Sequence, residues 1–499
     1  MDDLPQELVD CIASYLSKDE LKKTLLVSRP FQHATERASG GFTQFYLTQD
    51  NSEKFLDTYC DHRCEYLRHI YFETILPPFN TTPGSPNCRE TSHELLERDE
   101  SFTKQINFVF NTLKKLERHE KRTGKVKLTL DTPSQKLEGC FHRKFSSWRV
   151  HLLNPELLPL LECIWYLDIY TSWGLHSFNS HSTEHPWPLK LDRRTVVDLA
   201  TKLPNLERLQ CALDADAWPN DESSEAVRHY RRDWEGLRQV DRNRFAQALN
   251  EVHNSLSVSL KEVKFDFLQI SMEFQLLDQR KRLPDLVSPA LKDPFSSSLR
   301  LLSYRLRRIE IFAIVDETLF WPADGSTPAW PNLEDLAVAF HPASPSGSWY
   351  FHSPRYEGST DKKGFFITEK TYPPLEANET DKTWDDLVQV DGIPVDGDES
   401  TNTEFRINPD NDAITPLLTS FARAASTMHR LRRAQLWSPL EWRAHDIPGF
   451  SDTYTAEEIS QWKWGKPAWG VAYAKPSEVA FCNNPGEDGS RARGDVEAQ

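Results

Sequence analysis

Asp192-Arg193-Arg194-Thr195-Val196-Val197-Asp198-Leu199-Ala200-Thr201-Lys202-Leu203-Pro204-Asn205-Leu206-Glu207-Arg208-Leu209-Gln210-Cys211-Ala212-Leu213 holds a helix and a strand back to back. Asp192 is placed to cap a helix whose inner side is Val196, Leu199, Ala200 and Leu203. Pro204, which lacks an amide hydrogen, ends it, and Leu206, Leu209, Cys211 and Leu213 follow as a strand. The strand half recurs in Pro331-Asn332-Leu333-Glu334-Asp335-Leu336-Ala337-Val338. A last copy begins with Thr415 as cap and Pro416 opening a helix that turns Leu417, Phe421, Ala425 and Met428 inward, before Leu431 and a strand around Ala434 to Leu436. Further strands are expected at Leu67 to Phe72, Ile164 to Tyr170, Leu260 to Phe267 and Leu306 to Val315. Helices alternating with strands predict a parallel sheet with helices behind it. The units are spaced irregularly, so both a curved stack of repeats and an ordinary mixed α/β domain satisfy the pattern.

With 499 residues the chain is long enough for several domains or one long array. Lys plus Arg number 59 against 75 Asp plus Glu, and the net charge of −16 argues against a nucleic-acid partner. The acidity is local: twelve acidic residues from Glu376 to Asp412 stand against Lys382 and Arg406, so this segment alone carries −10. It reads as a separate insertion, either a solubilising loop or a lure for a basic partner. No apolar run is long enough for a membrane span and the start, Met1-Asp2-Asp3-Leu4-Pro5, is acidic, so an intracellular protein, cytoplasmic or nuclear and without a membrane partner, is expected. Eight irregularly spaced cysteines predict reduced, mostly buried thiols rather than a disulfide framework.

The amino terminus has a different grammar. Pro5 and Glu7 suit a first helical turn, and Leu8, Ile12 and Leu16 share one face of a helix over about residues 5 to 16. Ser17-Lys18-Asp19-Glu20 has the form of a capping box and starts a second helix with Leu21 and Leu25 or Leu26. Ser28 caps a third, with Phe31, Ala34, Thr35 and Ala38 inward, until Gly40-Gly41 stops it. So small a bundle buries little by itself, which predicts a partner over its remaining apolar face.

Leu4-Pro5-x-Glu7-Leu8, Ile12, Leu16, Leu21, Leu26-Val27-Ser28-Arg29 and Phe31 resemble an F-box, with matching spacing and no gap. Lys18, Ser28 and Phe31 stand where that family often has proline, cysteine and tryptophan, and Thr24 takes a position usually held by leucine. The resemblance implies docking to a Skp-type adaptor, and through it to the cullin of a cullin-RING ubiquitin ligase. Leu4, Pro5, Leu8, Ile12, Leu16, Leu21, Val27 and Phe31 would carry that contact or the core behind it. The chain as a whole is similar to F-box proteins common in filamentous fungi. The expected whole is an α+β protein: a small all-α F-box over 1–41, then, from the helix–strand units and the turn-rich stretches, an irregular leucine-rich-repeat-like α/β solenoid over 42–478, with loop insertions near 77–100 and 341–412 and a disordered tail over 479–499. Its implied role is a non-catalytic adaptor that holds an unknown protein substrate while other subunits transfer ubiquitin. The alternative is a scaffold that binds the Skp adaptor without serving a ligase.

The helix after Ser223 turns Ala226, Tyr230, Trp234, Leu237, Phe245, Leu249 and Val252 inward, and places Arg228, Arg231, Arg232, Arg238, Arg242 and Arg244 outside. This is a solvated face, or a docking site for an acidic or phosphorylated segment, with Arg228, Arg231 and Arg232 as substrate contacts. Two short alternating runs, Trp349 to His352 and Phe365 to Thr368, predict a hairpin. Trp437, Trp442, Trp462, Trp464 and Trp469 serve either the core of the last repeats or a recognition pocket. Chemistry is sparse. His93-Glu94-Leu95-Leu96-Glu97 lacks the second histidine of a zinc-protease helix, and Cys60, His62 and Cys64, with Cys88 or His69, lack the paired spacing of a structural zinc site. His181 and His185 have no identifiable orienting partner. No phosphate-binding loop or nucleophile elbow occurs, so neither a cofactor, a metal nor a catalytic residue is expected.

Overall fold

Each long strand lies beside the one that the chain makes just before it. The structure is a computed structural model that describes residues 4–78, 90–119, 126–135, 148–171, 187–213, 234–252, 256–268, 279, 282–353, 361–374, 379, 406–440 and 468–474. In chain order the strands are β1 (Gln44–Leu47), β2 (His69–Phe72), β3 (Ile75–Leu76), β4 (Val126–Asp131), β5 (Ser134–Gln135), β6 (Ile164–Tyr170), β7 (Trp187–Pro188) and β8 (Arg208–Ala212). Then come β9 (Glu262–Asp266), β10 (Arg308–Ala313), β11 (Asp335–Phe340), β12 (Phe351–His352), β13 (Asn408–Pro409), β14 (Arg433–Pro439) and β15 (Ala468–Ala474). The large sheet has the order β1-β2-β4-β6-β8-β9-β10-β11-β14-β15, while β3-β5-β7 and β12-β13 form small separate sheets. Every neighbouring pair in the large sheet is parallel except β14 and β15. This is a mixed α/β protein built on a large, mostly parallel sheet, with no reversal of strand order.

The nine helices of the described residues are α1 (Gln6–Ser14), α2 (Lys18–Thr24), α3 (Arg29–Ser39), α4 (Ser52–Thr58), α5 (Ser92–His119), α6 (Arg194–Ala200), α7 (Glu235–Val252), α8 (Pro294–Ser303) and α9 (Asn411–Thr427). From α4 onward, six helices share one apolar core with alternate strand residues such as Leu128, Leu167, Leu209, Val263 and Ile309. The intervening strand residues, such as Lys127, Asp168, Gln210, Lys264 and Glu310, fall on the opposite face because side chains alternate along a strand. Residues 1–41 were expected to form a separate bundle, and α1 to α3 do have their own small core of Val9, Ala13, Leu21, Phe31 and Ala34.

The quoted unit buries the residues expected, but its N-cap is Arg193 rather than Asp192. Val196, Leu199, Ala200 and Leu203 are buried, as are Leu206, Leu209, Cys211 and Leu213, although the helix ends at Ala200 rather than at Pro204. The Asp192 carboxylate accepts from the Arg194 amide at 3.0 Å.

Several expectations are corrected. The loop expected near 77–100 is shorter, because α5 already begins at Ser92, with Thr91 and Glu94 forming a capping pair. The last helix starts at Asn411 and not at Pro416: Asp410 caps it by accepting from the Asp412 and Ala413 amides, and Pro416 lies inside the helix. The hairpin between Trp349 to His352 and Phe365 to Thr368 does not form. Phe351 and His352 pair with Pro409 and Asn408, while Phe365 exchanges backbone hydrogen bonds with Leu283 and Asp285. Gly364 permits that approach, since a Cβ there would lie 2.4 Å from the Leu283 carbonyl oxygen. Arg238 and Arg242 are not on an outer face but fully buried. Buried guanidinium groups need carboxylates, and these arrive from elsewhere in the fold: Asp293 accepts from Arg242 at 2.8 Å, and Asp241 lies 3.2 Å from Arg193. Arg228, Arg231, Arg232, His181, His185, most of the acidic segment and the tail over 479–499 lie outside the described residues.

Candidate functional site

Two surfaces present groups that the fold does not use internally. The first is on the amino-terminal bundle. Glu20 reaches back to the Ser17 amide at 2.8 Å, and the Ser28 hydroxyl accepts from the Phe31 amide at 3.5 Å, so both caps form where the sequence placed them. Thr24, unexpected at a leucine position, is satisfied by the Leu21 carbonyl at 2.8 Å and by the Thr35 hydroxyl at 2.7 Å. One side of α1 faces α3: Val9 and Ala13 are buried, the Gln6 amide donates to the Pro30 carbonyl at 3.1 Å, and Arg37 pairs with Asp10. The other side carries Leu4, Leu8, Ile12 and Tyr15, which are 39%, 52%, 43% and 85% exposed.

The eight residues singled out for adaptor contact therefore divide. Leu21 and Phe31 belong to the bundle core, Leu16 packs partly against it, and Leu4, Pro5, Leu8, Ile12 and Val27 are exposed. Tyr15 and Leu26, also exposed, were not singled out as contacts, although their apolar character and position at the ends of α1 and α2 made them readable.

The bundle is fastened to the segment between α4 and β2. Glu36 of α3, almost completely buried, accepts from Arg63 at 2.6 and 3.1 Å and from Gln32 at 3.1 Å, and lies 2.8 Å from His62 Nε2. Burial works to raise the Glu36 carboxyl, but the hydrogen bonds from Arg63, His62 and Gln32 outweigh it and hold the group at about 2. Glu36→Ala is expected to cost about 1–3 kcal/mol, since charged hydrogen bonds to a buried acceptor are lost, and to speed amide exchange along α3. Urea midpoints together with hydrogen exchange would check this.

The second surface is the face of the large sheet opposite the helices that share its core. Its middle and far strands are laced by ion pairs: Arg208 with Glu262, Lys264 with Glu310 at 2.9 Å, and Asp335 with Arg433 at 2.9 Å and Arg308 at 3.6 Å. Phe312 of β10 and Ile367 pack against a small cluster of Leu268, Leu286 and Ile314. The strands nearest the bundle are aromatic instead. Tyr46 stacks on Tyr71 at 4.6 Å, His69 lies against Tyr71 at 3.7 Å, and Tyr166 and Tyr170 follow on β6. Burial, with Lys127 second, holds the His69 imidazole down at about 4, so it is neutral at pH 7. A base with a depressed folded value binds fewer protons than in the unfolded chain, so stability held above pH 6.5 falls as pH drops toward 4. His69→Gln should flatten that acid limb, measured as urea midpoints at pH 7 and pH 4.5.

The zinc expectation for Cys60, His62 and Cys64 was negative. Cys60 is exposed, Cys64 is buried and His62 serves Glu36; among the described residues no such group is arranged to hold a metal ion. No protein-family model matches the chain, and no curated protein matches it.

Proposed function

We propose that the chain is a substrate-recognition adaptor of a cullin-RING ubiquitin ligase, in which residues 1–41 act as an F-box that docks a Skp-type adaptor. The remainder, a degenerate leucine-rich-repeat-like α/β solenoid, holds a protein substrate on the open face of its sheet. The role is non-catalytic and belongs in the cytoplasm or nucleus.

The observation that carries this reading is the division of the F-box-like positions into a buried set and an exposed apolar set, with Leu8, Ile12 and Tyr15 on the side of α1 turned away from α3. A bundle with its own core and a wide apolar side left open suits a partner that covers that side. Support for the solenoid comes from the strand order, in which each unit adds beside the last.

Affinity capture of the full-length chain under proteasome inhibition tests the proposal. Recovery of both a Skp-type adaptor and cullin is the expected result. Adaptor without cullin would favour a non-ligase scaffold, and recovery of neither would overturn the F-box reading.

A further inference from the structure

We infer that the junction between the amino-terminal bundle and the body is a pH-sensitive hinge: proton uptake by the stacked histidines His33 and His62 parts α3 from residues 62–66 while bundle and sheet each stay folded. The inference needs no partner. It touches the proposed function only because the part released is the proposed docking bundle, and it is read on the free chain.

Helical spacing puts His33, Glu36 and Arg37 on one side of α3, and residues 62–66 meet that side. The His33 and His62 rings stack with their centroids 3.9 Å apart and their planes 25° from parallel. His62 Nε2 lies 2.8 Å from a Glu36 oxygen, and since an ionised carboxylate only accepts, Nε2 carries a hydrogen. A further proton on His62 goes to Nδ1. Glu36 is the carboxylate that faces the pair, and Arg63 already engages both of its oxygens. Arg29 and Arg37 also face His33. Arg37 pairs with Asp10 of α1 and lies 5.6 Å from the Tyr66 ring, whose hydroxyl donates to the His33 carbonyl at 3.2 Å.

Neutral rings at this distance attract. Two imidazolium rings stacked face to face repel, and the one carboxylate beside them is already matched by a guanidinium. Burial, with the charge of His62 second, lowers His33 from its ordinary 6.5. The closed junction therefore binds fewer protons than the open one, so closure is favoured above pH 6.5 and is lost as pH falls below it. The chain is built to part here. Gly40 ends α3 in the left-handed region at φ 65°, Gly41 follows, and β1 begins at Gln44. The bundle keeps its own core of Val9, Ala13, Leu21, Phe31 and Ala34 on either side of the change.

The test is amide hydrogen exchange of the full-length chain at pH 7.5 and pH 5.5, corrected for the intrinsic pH dependence of exchange. Peptides over 40–47 and 59–68 are expected to lose protection about tenfold on acidification, while those over α1, β6 and β10 change less than about twofold. His33→Phe keeps a ring in the stack and His62→Gln keeps a donor for Glu36, yet neither can take up the second charge. Each should abolish the acid response, and melting curves at pH 7.5 report folding. His33→Lys, with its charge fixed, should show the open pattern already at pH 7.5. The inference is overturned by a wild-type junction that stays protected at pH 5.5, or by an undiminished response in a folded His33→Phe or His62→Gln chain. A closed junction in His33→Lys at pH 7.5 overturns it too, as does a loss shared equally by β6 and β10, which would report acid unfolding of the whole body. Adaptor capture at pH 7.5 is read separately, and its failure would remove the ligase reading without touching the hinge.

Discussion

Leu8→Asp abolishes capture of the Skp-type adaptor without unfolding the chain, if the amino-terminal bundle docks as proposed. Leu8 is 52% exposed on the side of α1 that faces away from α3, so a carboxylate there remains hydrated in the free protein. The cost to stability should stay within about 0.5 kcal/mol, as for surface substitutions away from special features. In an apolar interface the same carboxylate is stripped of water with no partner, a penalty of about 4 kcal/mol or more, on the order of a thousandfold in affinity. Ile12→Asp should act in the same way. Val9→Asp is the contrasting case, because Val9 is fully buried and its replacement should unfold the bundle. Melting curves and adaptor affinity measured on all three variants separate binding from folding. Wild-type affinity in Leu8→Asp would remove the docking surface from consideration.

Asp293→Ala should have the largest effect on the body, about 3–5 kcal/mol of stability. Asp293 caps α8, accepting from the Phe295 amide at 3.3 Å, the Ser296 amide at 3.1 Å and the Ser296 hydroxyl at 2.6 Å. Its carboxylate also accepts from Arg242, and both residues are about 1% exposed. Removing it leaves two amides of the first turn without their acceptor and a guanidinium lying 4.2 Å from the Phe295 ring without its counter-charge. Asp293→Asn keeps an oxygen for the cap and should recover part of the loss. Urea midpoints measure both, and a shift worth less than about 1 kcal/mol for the alanine variant would show that Arg242 has no need of this partner.

What the sequence made legible was the periodic part. Ile164 to Tyr170 was read with the bounds that β6 has, and the helix–strand unit around Pro204 placed all eight of its named apolar residues inside. β4 was not among the expected strands, although Val126, Leu128 and Leu130 alternate with Lys127 and Thr129 as a strand requires. α5 was not among the expected helices, although Phe102, Ile106, Val109, Phe110, Leu113 and Leu116 recur at helical spacing and are all buried. Arg242 of α7 was misplaced for a sound reason, since arginine is rarely buried without a partner and its partner Asp293 is identifiable only once helices pack. The aromatic end of the sheet face was invisible for a related reason. Tyr46 and Tyr71 are far apart in the chain, and only the sheet register makes them neighbours.

The final strand has a consequence for how such a protein can change in evolution. A sheet whose strands are laid down in chain order accepts a new unit between any two existing ones without rethreading the rest, since no later strand has to cross an earlier one. That freedom ends at β15, which runs antiparallel to β14 and packs so closely that Gly470 would bring a Cβ within 2.6 Å of the Trp437 Cβ. By filling the hydrogen-bonding edge of β14, β15 acts as a terminator: the sheet can lengthen from within, while its last parallel strand is withheld from pairing with a neighbouring molecule.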